Sequence, residues 1–229
     1  MEQIMELLSY FSEEGTMSAI KVTMILGFTS TAISSLIGVR MGLLLERHEF
    51  LGKKIVIRVN RTLMGVPPVV VGLVTYMLLM RNGPLGFLSL LFTVPGMIIA
   101  QVVIITPIIC GMTYTSALKT APAVRFFGKC IGADKKQTKK LIRKEMKKDI
   151  YFAIITGFGR SISEVGAVMI VGGNMKFYTR TMTTTISLLK SQGIFTEGVF
   201  LGVILLIMAF ILQWLADLAQ KEKVEHDNY

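Results

Sequence analysis

The sequence predicts an all-α integral membrane protein with about five transmembrane helices, and three observations predict it. First, 52% of the 229 residues are hydrophobic and the mean hydropathy is +0.59, too apolar for an ordinary soluble domain. Second, four runs carry no charge at all: Val22–Val39, Thr62–Met80, Val94–Leu118 and Val199–Ala216. Each has at least the roughly 18–20 residues that a helix needs to cross about 30 Å of hydrocarbon. Third, a fifth run, Tyr151–Val171, is interrupted only by Arg160 and Glu164.

Taken in order, residues 1–17 form a short outer segment with Glu2, Glu6, Glu13 and Glu14 and no basic residue. Ile4, Leu7, Leu8 and Phe11 fall at helical spacing, so it is expected to be an amphipathic helix. Without the positive n-region of a secretory signal, the first span is expected to be retained as an anchor. The membrane domain then covers 18–217. Gly38, Pro67, Pro68, Pro95 and Pro107 lie inside its spans, which neighbouring helices tolerate by satisfying the freed backbone groups. Pro67, Pro68 and Pro107 are the positions expected to shape the helices around a pore. A short tail, 218–229, closes the chain.

Five spans put the termini on opposite sides, and basic residues choose the orientation. Arg40, Arg47, Lys53, Lys54, Arg58 and Arg61 lie between spans one and two. Eleven more, from Lys119 to Lys148, lie between spans three and four, against only Asp134, Glu145 and Asp149. The remaining connections are poor in Lys and Arg. The N-terminus is therefore expected outside and the C-terminus in the cytoplasm.

This asymmetry accounts for the formal charge of +10 as a topology determinant beside anionic headgroups; nucleic-acid binding would more often interleave aromatics with the basic residues. Cys110 sits within a span and Cys130 in a cytoplasmic loop, so no disulfide or metal motif is expected. His48 and His226 are isolated among surface charges. No Gly-x-x-x-x-Gly-Lys-Ser/Thr phosphate loop occurs, so any ATP-driven work belongs to a separate chain.

The cytoplasmic loop 119–149 has its own organisation. Thr120 as N-cap, Pro122 in the first turn and Gly132 as a stop predict a short helix. Val124, Phe127 and Ile131 recur along it, with Phe126 beside them. Such an apolar face either docks into a partner's groove or packs back onto the chain's own spans. Lys135–Lys148 is expected to be a basic helix running into span four, with Leu141, Ile142 and Met146 as its apolar side.

Arg160 and Glu164 are the residues hardest to place. With span four starting near Tyr151, Arg160 lies roughly 13 Å deep and Glu164 about 6 Å further, one helical turn on. Charges at that depth are costly and need a partner or a pathway. Either they form an ion pair that fixes helix packing, or Arg160 lines a conduction path with Ser161 and Ser163 as neutral donors nearby.

Several stretches resemble the permease subunit of tungstate-type ABC importers in order and spacing. These are Met64-Gly-Val-Pro-Pro-Val-Val-Val-Gly-Leu73, Arg81-Asn-Gly-Pro-Leu-Gly-Phe87, Gly96-Met-Ile-Ile-Ala-Gln101, Gly157–Asn174 and Thr179-Arg-Thr-Met-Thr-Thr184. The likeness covers most of residues 20–216. It implies a type I ABC importer permease, working as a homodimer. It further implies an extracytoplasmic binding protein and two ATPase subunits as partners, the latter holding ATP and Mg2+, with no cofactor or covalent chemistry in this chain. In binding-protein-dependent importers, a cytoplasmic Glu-Ala-Ala…Gly loop seats in the ATPase. Ile131-Gly132-Ala133 matches its Gly end, whereas Phe126, Phe127 and Gly128 stand where Glu-Ala-Ala is expected. The resemblance favours docking by Val124, Phe126, Phe127, Ile131 and Gly132.

Under this resemblance, Arg160 transiently meets a dianionic oxyanion, for which a guanidinium fork is suited, and Glu164 keeps the anion from binding too tightly to leave. The expected function is tungstate import by alternating access across a prokaryotic plasma membrane. Molybdate, sulfate or another anion is the near alternative. A stand-alone channel or secondary transporter using the charged pair as a relay, and a membrane-embedded enzyme, are the readings from other classes.

Overall fold

The computed structural model describes the backbone of residues 14–226 and side chains as far as Trp214. The expected amphipathic segment at 1–17 lies almost wholly outside the described residues; its last four belong to the first helix, α1 (Glu14–Arg47). The helices that follow are α2 (Lys53–Met64), α3 (Pro68–Leu79), α4 (Val94–Cys130), α5 (Lys135–Glu145), α6 (Lys147–Ile162), α7 (Gly166–Gly172), α8 (Met182–Ser191) and α9 (Phe195–His226). Only helices, turns and loops occur among the described residues.

α1, α4 and α9 are long and apolar enough to cross a membrane, and the count reaches five when α2 with α3 and α6 with α7 are each taken as one span. Those two pairs fall on the expected spans Thr62–Met80 and Tyr151–Val171, each of which is broken rather than one continuous helix. α2 and α3 meet at 104°. Gly65 caps α2, Pro67 has no N–H to continue the ladder, and Pro68 occupies the first turn of α3, where that loss is harmless. The chain thus turns a corner inside one uninterrupted apolar run. The expected loop between spans one and two is largely α2. Its Ile55, Val56, Val59 and Leu63 are exposed beside Lys54, Arg58 and Arg61, the composition of a helix lying in the interface plane. α3 is about 18 Å long.

α1 and α4 form the central contact. Gly38 and Gly42 lie one turn apart on the buried side of α1. A Cβ at Gly42 would stand 2.7 Å from the Cys110 carbonyl oxygen and 2.8 Å from Thr113 Cβ. Small residues at four-residue spacing allow this approach, which in lipid is driven by packing rather than by the hydrophobic effect. α3 meets α7 as closely: a Cβ at Gly72 would lie 2.6 Å from Ala167 Cα. Val71, Leu79, Ala100, Ile104, Ala167 and Val171 form one core where α3, α4 and α7 converge. Met97 and Val168 join Val22 and Leu26 of α1 in another.

α4 runs unbroken from Thr93, whose hydroxyl accepts from Gly96 N, through Pro107 and Pro122 to Cys130. The expected separate helix capped by Thr120 is therefore the end of α4. Ala117 and Ala121 pack against Ile142 and Met146 across Pro122, holding this segment helical. Gly132, at φ +67°, then reverses the chain. Ala133 N donates to Gly128 O at 2.8 Å and Gly132 N to Lys129 O at 3.2 Å, the bond pattern of a Schellman stop.

α5 starts from a capping box: Asp134 accepts from Lys136 N and Gln137 N, and Gln137 Oε1 accepts from Asp134 N at 2.8 Å. The expected continuous helix Lys135–Lys148 is divided at fully buried Met146. α9 continues to His226, past the expected boundary at 217. Leu206, Phe210 and Trp214 on it are exposed.

Candidate functional site

The break between α6 and α7 holds the charged pair. α6 ends at Ile162, Ser163 caps it, and the chain bends by 57° before α7. Arg160 lies in the last turn of α6 and Glu164 in the break. The expectation that both share one face of a continuous helix is corrected accordingly. Arg160 Nη2 stands 3.1 Å from Glu164 Oε2. The other carboxylate oxygen, Oε1, accepts from Ala167 N at 3.2 Å, and Thr183 Oγ1 donates to the Glu164 carbonyl at 2.9 Å. Glu164 is thus anchored on three sides with its side chain 4% exposed, whereas the Arg160 side chain remains 35% exposed. A buried, immobilised carboxylate holds one end of a guanidinium whose other side remains partly open. Ser163 is exposed beside it, with its hydroxyl donating to the Arg160 carbonyl.

Ser161 keeps different company. It is 4% exposed, and its hydroxyl donates to Gln101 Oε1 at 2.5 Å; Ser30 Oγ donates to the same oxygen at 2.7 Å. Gln101 Nε2 donates to the Ser161 carbonyl at 3.0 Å. Gln101 and Ser30, to which the sequence reading gave no role, close a polar hub joining α1, α4 and α6 one residue from Arg160. A single amide in the charge-free run Val94–Leu118 was the available signal, because a buried amide must find partners.

Pro67 and Pro68 stand at the corner between α2 and α3. Pro107 is buried in α4, and its carbonyl accepts from Asn60 Nδ2 on α2 at 3.1 Å, tying the interfacial helix to the centre of the molecule.

At the cytoplasmic end of α4 the expected apolar stripe divides. Val124 packs inward with Ala117, Ala121, Ile142 and Met146. Phe126, Phe127 and Ile131 are 73%, 55% and 60% exposed. Packing back onto the chain's own helices therefore describes Val124 alone. Arg125, between them, makes a two-point ion pair with Glu46 at the end of α1 and fixes the angle at which α4 leaves the bundle. Gly132 ends the presenting helix.

Two broken spans, one of them with an anchored arginine about one-third exposed at its break, are set among further helices long and apolar enough to cross a membrane. The profile of the binding-protein-dependent transport system inner membrane component family matches residues 34–223, and the chain belongs to that family. It is 39% identical over 208 residues to the tungstate uptake system permease protein TupB of Peptoclostridium acidaminophilum, covering 91% of each chain. It is 34% identical over 212 residues to the protein of the same name from Campylobacter jejuni, covering 91% of this chain and 87% of that one. A crystal structure of a bacterial ABC transporter that imports the acidic polysaccharide alginate has the same fold, with a TM-score of 0.75 at 16% identity over 95% of this chain and 83% of that chain. The protein is a multi-pass plasma-membrane permease of the ABC importer class, which sets aside the channel, secondary-transporter and enzyme readings.

Proposed function

We propose that this chain is the permease of a tungstate importer, that two copies surround the translocation path, and that the path passes Arg160. The observation that carries the reading is the guanidinium held by an anchored Glu164 yet one-third open. It is a donor fork suited to a tetrahedral dianion, with its affinity tempered by the adjacent carboxylate so that the anion can leave. Tungstate is preferred to molybdate or sulfate because it is the cargo in the names of both relatives.

The N-terminal side faces outward and receives the anion from an extracytoplasmic binding protein. The basic connections face the cytoplasm, where two ATPase subunits supply the hydrolysis that this chain does not perform. Phe126, Phe127 and Ile131 seat in the ATPase, and Gly132 ends the seated helix. Because the Phe126–Phe127 segment is the end of α4 itself, ATPase closure moves α4 directly, and through the Gln101 hub it moves the end of α6 that bears Arg160. Alternating access follows from that linkage. Pro67 and Pro68 let α3 keep its own direction during the movement.

The test is reconstitution of the purified permease with its ATPase and binding protein in liposomes. ATP hydrolysis should rise when binding protein and tungstate are both present, and rise less with sulfate. Hydrolysis that ignores tungstate, or transport without ATP, overturns the assignment.

A further inference from the structure

On the side of α4 turned away from Phe127, a cleft of about 540 Å³ opens between the end of α1 and α5. Arg125 lines it and Phe127 does not; two positions along a helix are about 200° apart. Arg47, Lys129, Lys139 and Arg143 also line the cleft, and among the described residues none of them has an acidic partner. Glu46, the one carboxylate in the lining, is already taken by Arg125. Like charges converge here uncompensated, above an apolar floor of Leu43, Leu44 and Ile142.

The cleft's level and its continuation identify an occupant. Arg40, also in the lining, is the first residue after the charge-free run Val22–Val39, so the cleft lies where hydrocarbon gives way to headgroups. From Leu44 an exposed stripe of Met41, Ile37 and Ile33 descends α1 at helical spacing into the membrane zone. A soluble anion would use the cations alone. A lipid uses the cations and the stripe together.

We propose that this cleft is a headgroup site for an anionic phospholipid, its phosphate held by Arg47, Lys129, Lys139 and Arg143 and one acyl chain lying along Leu44, Met41, Ile37 and Ile33. Basic pockets between membrane helices on the cytoplasmic side suit such headgroups. The bound lipid bridges α1 to α5 and braces the segment from which Phe126 and Phe127 project. The proposal rests on α1 crossing the membrane and is independent of which anion is transported.

The test is native mass spectrometry of the full-length protein with equimolar dioleoyl phosphatidylglycerol and dioleoyl phosphatidylcholine. Phosphatidylglycerol should be retained preferentially. Arg47→Gln with Lys139→Gln, and separately Lys139→Gln with Arg143→Gln, should cut that preference by about fivefold per cation. Lys148→Gln, outside the cleft, should leave it unchanged, and excess inorganic phosphate should not displace the lipid. Equal retention of the two lipids, or an equal effect of the control and cleft variants, overturns the proposal. Displacement by inorganic phosphate identifies a soluble-anion site and also overturns it. Unchanged lipid preference in cleft variants that lose ATPase association assigns the cleft to the protein interface instead.

Discussion

Ser161 and Gln101 bond to each other twice: the serine hydroxyl donates to Gln101 Oε1 and the Gln101 amide donates back to the Ser161 carbonyl at 3.0 Å. With Ser30 on the same oxygen, this pair fixes the end of α6 relative to α1 and α4. The orientation of Arg160 depends on it. Gln101→Leu keeps similar bulk but removes three buried hydrogen bonds. The two hydroxyls are left with each other at 2.9 Å and Leu26 O, and the Ser161 carbonyl with only Glu164 N, so the change should cost about 1 kcal/mol or more. Thermal unfolding in detergent should show the loss, and Gln101→Glu should not restore the melting temperature, because the carboxylate cannot donate to the Ser161 carbonyl.

Gly42 should be similarly intolerant for a steric reason. Its added Cβ would press on the Cys110 carbonyl and Thr113 Cβ, neither of which can rotate away. Gly42→Ala should destabilise the protein by about 1–3 kcal/mol. Gly159→Ala, where a Cβ meets nothing within 4 Å, serves as the control and should melt at or slightly above the wild-type temperature, since Ala is the better helix former. Equal melting of the two variants would refute the close approach of α1 and α4.

Replacing Phe126 and Phe127 together by Ala should leave the melting temperature unchanged, because both side chains are exposed. Association with the ATPase should weaken, since aromatic anchors in a groove typically contribute about 2 kcal/mol or more each. Val124→Ala should do the reverse, lowering stability through the contact with Ile142 and Met146 while sparing association. Thermal unfolding of each purified variant measures the first effect and pull-down of the ATPase the second.

Hydropathy located the membrane-embedded segments, because continuous apolar runs are what a bilayer demands. It concealed their direction. Thr62–Met80 is uniformly apolar, so a 104° corner at Pro67 leaves the average unchanged; two adjacent prolines after Gly65 were the only trace. The pairing of Arg160 with Glu164 was legible from their spacing, but the break that buries Glu164 and leaves Arg160 open was not. It depends on Thr183 and Ala167, and the first of these comes from a distant helix. Asp134-x-x-Gln137 and Gly38-x-x-x-Gly42 mark a helix start and a close approach, which hydropathy and charge do not register. The fate of Phe126 against that of Val124 required knowing where α5 folds back.

Removing Arg160 alone should expose how the pair is built. Arg160→Ala leaves Glu164, 4% exposed, without its cation, and should cost of order 2–3 kcal/mol. Arg160→Lys should keep stability close to wild type but lower transport, because a point charge replaces a planar fork.

The measurement that bears most directly on the path past Arg160 is ATP-driven tungstate uptake into liposomes containing the ATPase, the binding protein and the permease with Arg160→Gln and Glu164→Gln together. A neutral amide pair can hydrogen-bond across the same break, so this variant should fold, melt near the wild-type temperature and bind its ATPase. Its tungstate uptake should fall by at least about tenfold, the loss of roughly one charge-assisted contact to the moving anion. Wild-type uptake by the folded double variant would contradict the account and leave the pair with a purely structural role.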